Sequence, residues 1–369
     1  MTRRPVPTPS EPPVDPGELR RWLDRLVAAG APGAAGWAQD ERGHVQAASG
    51  VADLSTGRPM GAELRFRAGS ATKALVATVV LQLVAEGRLS LGDTVEGWLP
   101  GILPDGDRLP IGRLLDHTSG VPDYTAPVFA ALYESPEALL RSWAPRDLVG
   151  LVADQPPRSA PAGSWSYSNT GYILLGLIVE AAAGGPLGEE LARRILGPLG
   201  LEGTVFPDGP DLPGPSSRGY SFPMGPGGEA LDGPLLDVTV QDPSWAWAAG
   251  ALVSTLEDLA GFFRALLGGR LLPPRLLAEM LATVPVPPDA IPLPLYDRYG
   301  KGLVEVDTPA GRLVGDQGGI PGFLCVVLSA PDGRGQLALV VNALTAPAPV
   351  YQAMIEAART LGAGLLARR

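Results

Sequence analysis

Hydrophobic periodicity changes character twice along this chain, and the order of those changes limits the folds open to it. Over residues 15–29 a helical stripe places Leu19, Trp22, Leu23, Leu26 and Val27 on one face. Two strand-like segments follow, 34–39 and 45–51, around the turn Asp40-Glu41-Arg42-Gly43. Helical spacing then takes over. A helix is expected from Ser70 to about Gly87, with Leu75, Val76, Val79, Val80, Leu83 and Val84 inward, and others over 135–144, 172–183 and 256–267. Strand character returns at 324–328 and 337–341, flanking the hairpin signal Pro331-Asp332-Gly333-Arg334-Gly335. A last helix spans about 349–361.

Strands at both ends with helices between them predict one antiparallel sheet built from both termini. The expected fold class is α/β (α+β): that sheet, flanked by the terminal helices, plus an inserted all-helical lobe. Residues 15–70 and 250–369 would form the α/β lobe of a single domain, and 71–249 the helical lobe. The cleft between lobes is the expected binding site. The proline-rich residues 1–14 read as a disordered tail, and the Pro/Gly-rich stretch 207–234 as irregular loop. At 369 residues and 45% apolar, the chain can fill a sizeable core.

Composition excludes several classes of function. A net charge of −10 without a basic stripe argues against nucleic acid as partner. No Cys/His spacing fits a metal, and no cofactor is implied. Cys325 lies in an apolar run, reads as a core residue, and as the sole cysteine excludes an intrachain disulfide. No apolar run reaches the roughly 18 residues a membrane span needs. Arg3-Arg4 is followed by prolines and not by an apolar stretch, so an export signal is not expected and the expected location is the cytoplasm.

Lys73 and Lys301 are the only lysines; arginine supplies the rest of the positive charge. Arginine cannot give up its proton in a protein, whereas a desolvated lysine can. Lys73 stands three residues after Ser70 in Gly69-Ser70-Ala71-Thr72-Lys73, which puts amine and hydroxyl on one helix face. A serine needs a base to become a nucleophile, and such an amine can serve. An N-capping serine beside a solvated lysine is the bland alternative. Tyr167-Ser168-Asn169 precedes another helix; a tyrosine beside a lysine makes a coupled acid/base pair. Helix capping would explain the same tripeptide. Gly315-Asp316-Gln317-Gly318-Gly319 can bring backbone close to a ligand and present an N–H to an oxyanion, or simply turn the chain. No Gly-x-Ser-x-Gly elbow occurs, and the two histidines make poor triad members. His44 falls in a predicted turn and His117 reads as a turn anchor.

Taken together, these segments resemble the serine β-lactamase-related superfamily of class C β-lactamases, DD-peptidases, family VIII esterases, D-amino-acid peptidases and transacylases. The matches run in order from Phe66-Arg67-Ala68-Gly69-Ser70-Ala71-Thr72-Lys73 through Leu114-Leu115-Asp116-His117-Thr118-Ser119-Gly120 and Tyr167-Ser168-Asn169-Thr170-Gly171-Tyr172. They continue with Ala249-Gly250-Ala251-Leu252-Val253-Ser254-Thr255 and Gly318-Gly319-Ile320-Pro321-Gly322-Phe323. The resemblance implies that Ser70 is acylated, Lys73 is its base and Tyr167 shuttles the proton to the leaving group. It also implies that Asn169 holds Lys73 and a substrate amide, and that the Ser70 and Gly319 N–H groups form an oxyanion hole. The implied partner is a small-molecule ester or amide.

One position departs from the family pattern. Asp316-Gln317-Gly318 stands where Lys or His usually opens the third motif and helps to receive a substrate carboxylate. An ionised Asp316 there would repel a carboxylate, so the expected substrate is neutral near Asp316 or offers it an amine. Asn169, Asp316, Gln317, Gly318, Tyr124, Trp245 and Trp247 are thus the expected substrate-binding residues, with Trp165, Tyr296 and Tyr299 as further candidate walls. The leading expectation is a serine hydrolase that is not a typical β-lactamase. A transacylase with an amine or alcohol acceptor, or a non-catalytic binding protein on the same scaffold, are the alternatives.

Overall fold

A computed structural model describes residues 12–134, 136–156, 164–223, 233–288, 290, 295–344 and 348–367. Helix α1 (Pro16–Ala28) starts where the Asp15 carboxylate accepts the Glu18 N–H at 2.7 Å and Pro16 occupies the first turn. Its Leu19, Leu23 and Leu26 are fully buried. The expected tail, 1–14, lies outside the described residues up to 11, and Val14 is already packed in the core.

Strands β1 (Gly33–Asp40), β2 (Gly43–Asp53) and β3 (Arg58–Pro59) form one side of a nine-stranded sheet among the described residues. The C-terminal part supplies β4 (Val284–Pro285), β5 (Arg298–Tyr299), β6 (Val304–Thr308), β7 (Gly311–Ile320), β8 (Phe323–Ser329) and β9 (Gln336–Val341). The sheet order is β3-β2-β1-β9-β8-β7-β6-β5-β4. The two ends of the chain meet where Ala34 pairs with Val341 and Trp37 with Ala338, antiparallel. The antiparallel sheet from both termini is therefore as the order of periodicities predicted, and the fold is mixed α/β.

Alternation on these strands sorts the core into two layers. Leu324, Val326 and Leu328 pack beneath α1 and the C-terminal helix (Ala348–Ala367). Cys325 and Val327 face the other way, with Val314, toward the helices of the chain's middle. Two of those helices matter for the site. Helix α2 (Thr72–Ala85) is apolar around nearly its whole circumference and is buried accordingly. Helix α3 (Asn169–Ala183) starts at Ser168, whose hydroxyl accepts the Gly171 N–H, and stops at left-handed Gly184.

Two helical expectations shift. The helix expected from Ser70 opens with a 3-10 turn, Gly69–Ala71, before α2 begins. The helix expected over 135–144 falls instead on Thr125–Glu134, followed by a short 3-10 segment, Pro136–Leu140; residue 135 lies outside the described residues. The proline at 136 ends one element and starts the next. Part of the expected irregular stretch, 224–232, also lies outside them. No single helix among the described residues is long and apolar enough to cross a membrane.

Candidate active site

Ser70 is carried on the 3-10 turn that opens α2, and that tighter winding nearly eclipses residues three apart. Lys73 Nζ consequently donates to Ser70 Oγ at 2.9 Å, and to the Ala249 carbonyl at 2.6 Å. Ser70 Oγ also lies 2.8 Å from Tyr167 Oη. Amine, hydroxyl and phenol thus form one continuous hydrogen-bonded chain.

The turn is pinned from two directions. Phe66 and Arg67 pair with Ser254 and Val253, and the Ala68 N–H reaches Leu252 O at 2.8 Å. That pairing delivers the Ala249 carbonyl to Lys73. From the other side, β7 presses onto the backbone before Ser70. A Cβ on Gly318 would sit 1.9 Å from Ala68 O, and one on Gly69, which has φ +53°, 2.7 Å from Gly319 O. Glycine at 69 and 318 therefore reflects close approach of two main chains. This approach sets the Gly319 backbone beside the residue preceding Ser70.

The surroundings of Lys73 are apolar and aromatic. Its Nζ lies 5.1 Å from the Tyr167 ring centre and 5.4 Å from that of Tyr172, and the residue is fully buried. With no ion pair to Lys73 among the described residues, burial pulls its pKa down to about 7, although Asp316 and Asp123 oppose the shift. Burial holds the Tyr167 phenol well above the ordinary tyrosine range. At neutral pH the chain can therefore contain a free amine and an intact phenol.

His117 positions the phenol. Its carbonyl accepts the Ser166 N–H at 2.8 Å and its Nδ1 accepts the Ser168 N–H at 3.2 Å, bracketing Tyr167. Its ring packs on Tyr167 at 4.3 Å, on Tyr299 at 4.6 Å and on Tyr172 at 5.4 Å. Burial, then Lys73, hold this imidazole well below its ordinary pKa. The expected turn anchor is thus also a wall of the aromatic cluster, with a left-handed φ of 60°.

Several expected substrate contacts are corrected. Asp316 is 3% exposed and offers a ligand almost no surface for direct contact. Its side chain faces the helices, as residues on alternate positions of β7 must. Gly318 packs against Ala68 and not against solvent. Tyr124 is fully buried and donates its hydroxyl to Trp245 O at 2.6 Å. Trp245 is buried on a 3-10 turn, Pro243–Trp245, and Trp247 opens a short helix, so the two do not share a face of an extended segment. The half-buried Trp247 ring packs on α3 at Gly176. Trp165, Tyr296 and Tyr299 are buried and pack on one another, with Trp165 also on Tyr167. Asn169 donates to Asp123 Oδ2 at 3.1 Å, and Lys73 takes Ala249 O in its stead.

Exposure at the site falls to Gly319, with Ser70, Tyr167, Asn169 and Gln317 half-buried. Leu344 and Tyr351 flank Gly319; the motifs carried no signal for either. The Ala249 carbonyl, a backbone acceptor, has no side-chain signature, and Asp123 lies in none of the motifs. A separate surface hollow, lined by Gln39, Glu63, Arg65, Glu202, Asp258 and Arg264 among others, includes none of these residues. Among the described residues no group of three or more His, Cys, Asp and Glu could hold a metal ion.

Comparisons with known proteins place the overall fold. A D-stereospecific amidohydrolase from Streptomyces superposes with a TM-score of 0.84 at 37% identity, covering 94% of this chain and 99% of that one. A D-amino acid amidase from Ochrobactrum anthropi SV3, complexed with L-phenylalanine amide, gives 0.80 at 28% identity, covering 95% and 97%. Esterase EstB of Burkholderia gladioli is 36% identical over 168 residues, 43% of this chain and 43% of the esterase, so the chain spans less than half of that relative's length. The family model described as Beta-lactamase matches residues 19–359, nearly the whole chain, and the chain belongs to that family of serine hydrolases.

Proposed function

We propose that this protein hydrolyses an ester or amide through an acyl-Ser70 intermediate. The observation that carries the reading is the Ser70 hydroxyl held between a buried amine at 2.9 Å and a phenol at 2.8 Å. In the first half-reaction Ser70 Oγ attacks the carbonyl carbon while its proton passes to Lys73 Nζ. The oxygen, now negative, is received by the Ser70 and Gly319 N–H groups. The proton returns through Tyr167 Oη to the leaving nitrogen or oxygen, and the C–N or C–O bond breaks. Water then repeats the sequence in reverse on the acyl-enzyme.

The substrate class we favour is an amide or ester of a D-amino acid. Support comes from the amidohydrolase and amidase whose whole chains superpose on this one. Acyl transfer to an amine shares the first half-reaction, but the buried Asp316 gives an amine acceptor no anchor. The assembled proton chain favours catalysis over a purely binding role.

Intact-protein mass spectrometry tests the reading. Wild type exposed to p-nitrophenyl acetate or to D-phenylalanine amide should carry an acyl mass mapping to Ser70, and Ser70→Ala none. D-Phenylalanine amide should turn over faster than its L enantiomer. An absent adduct together with absent nitrophenol release would overturn the acyl-enzyme; equal turnover of the enantiomers would overturn the D-specific part alone.

A further inference from the structure

The third motif of this chain places a carboxyl group where, among the described residues, one backbone N–H is the only hydrogen-bond donor to it. Asp316 is 3% exposed. Its Oδ1 accepts one hydrogen bond, from the Gln317 N–H at 2.7 Å, and its Oδ2 accepts none among the described residues. Among the described residues it forms no ion pair: Lys73 Nζ gives its bonds to Ser70 Oγ and Ala249 O. The ionisable groups facing it are Lys73 on α2, Tyr167 ahead of α3, Tyr172 on α3, Tyr296 and Tyr299 at β5, and Cys325 on β8. Asp123 also acts on Lys73 and Tyr167, and His117 lies within the field of Lys73. All of these except Lys73 are neutral or anionic at neutral pH. A buried carboxylate with one hydrogen bond and no adjacent cation is unfavourable, and neutralising it is the ordinary remedy.

We propose that Asp316 stands as a protonated carboxylic acid in the resting protein, and that keeping its proton leaves Lys73 a free amine able to accept the proton of Ser70. An ionised Asp316 would favour ammonium on Lys73 through the field across the site and would withdraw the base. Asp316 acts through Lys73, so it is a positioning residue. The inference builds on Lys73 serving as base in the function proposed above. The direction of both shifts agrees: burial raises Asp316 to about 8 while it lowers Lys73 to about 7. The pair titrates as a unit, and its uncharged form, amine plus acid, is the one populated between the two steps.

The test reads the carboxyl directly. Infrared difference spectra of wild type against Asp316→Asn at pH 6.5 should show a protonated-carboxyl stretch that vanishes in the variant. In wild type alone, the same band should fade as the pH passes about 8. An absent band at pH 6.5 means an ionised Asp316 and overturns the proposal. Should Asp316→Asn fold poorly, titrating wild type that carries carboxyl-labelled aspartate follows the same band without the variant.

Kinetics supply the second arm. Exchanging a neutral acid for a neutral amide should leave the acid limb of kcat/KM for p-nitrophenyl acetate within about half a unit of wild type. A fall of that limb by a full unit or more in Asp316→Asn means that a negative charge had been removed, and overturns the proposal. The spectroscopic arm needs no substrate. If no acyl-Ser70 forms but the band is present, the catalytic reading fails and the protonation state stands.

Discussion

The two lysines of this chain occupy opposite solutions to the same problem. Lys301 is 8% exposed and keeps two counter-ions, Glu279 at 3.1 Å and Asp116 at 3.7 Å. Lys73 is 0% exposed and has none among the described residues; its hydrogen-bond and ring neighbours are a hydroxyl, a carbonyl and two aromatic rings. The first arrangement joins the helix Pro274–Met280 to the turn at Asp116 through ion pairs. The second makes the charge expensive, so the amine gives up its proton near neutrality. Burial by itself does not make a base; burial without a carboxylate in contact does.

The sharpest way to break that contrast is to remove each amine in turn. Lys73→Met should lower kcat/KM for an activated ester by about 10²–10⁴-fold, the range for loss of a general base. Lys73→Arg should fare no better, because a guanidinium keeps its proton. A Lys73→Arg variant with more than a tenth of wild-type activity would dissociate the amine from proton transfer. Gly69→Ala attacks the other half of the site. Its Cβ would meet the Gly319 backbone at 2.7 Å and its φ of +53° would be strained. Separation of the two proposed oxyanion donors should cost about 10²–10³-fold in kcat, with the folded state retained by circular dichroism. An unchanged kcat would show that the Gly319 N–H is not used.

These residues differ in how readable they are. Ser70 and Lys73 are three apart on one turn, so local geometry alone brings them together. The sheet was readable too, since alternation at both ends left few other ways to bury the strands. Asp316 was misplaced because the motif suggested a pocket lip, whereas the β7 register turns its side chain inward beside Val327 of β8. The Ala249 carbonyl depends on the pairing of Phe66 and Arg67 with Ser254 and Val253, contacts between distant parts of the chain that carry no local signature. The aromatic residues were legible as a group and not as individuals. Which rings face a cleft and which face one another is decided by packing of α3, β5 and the segment around His117.

Titration sharpens the comparison further. If Lys73 must be neutral, kcat/KM should fall about tenfold per pH unit below about 7. The same shift has a signature in stability, with the sign fixed by linkage. The folded value, about 7, lies below the ordinary 10.5, so the unfolded chain binds more protons in that window. Stability contributed by this group therefore rises with pH between the two values. Lys73→Met should melt above wild type below pH 7, and the gap should close as the pH approaches 10.5. A gap constant with pH would mean that the native amine stays charged.

The smallest expected effect is at Lys301, and it is the most discriminating. Lys301→Met removes a cation whose partner Glu279 is 45% exposed, so solvent takes over much of the lost pairing. The expected cost is about 1 kcal/mol, a drop in Tm of a few degrees. Activity should stay within about threefold of wild type. The more demanding outcome concerns Asp116, the other partner, because it adjoins His117, and His117 brackets Tyr167 through two backbone N–H groups. If Lys301 served only to tie the scaffold, its loss would move Tm and leave the acid limb of the pH profile in place. A Lys301→Met variant that loses a hundredfold in kcat at unchanged Tm would instead place both lysines in one proton-handling network, and the division between a structural and a chemical amine would fail.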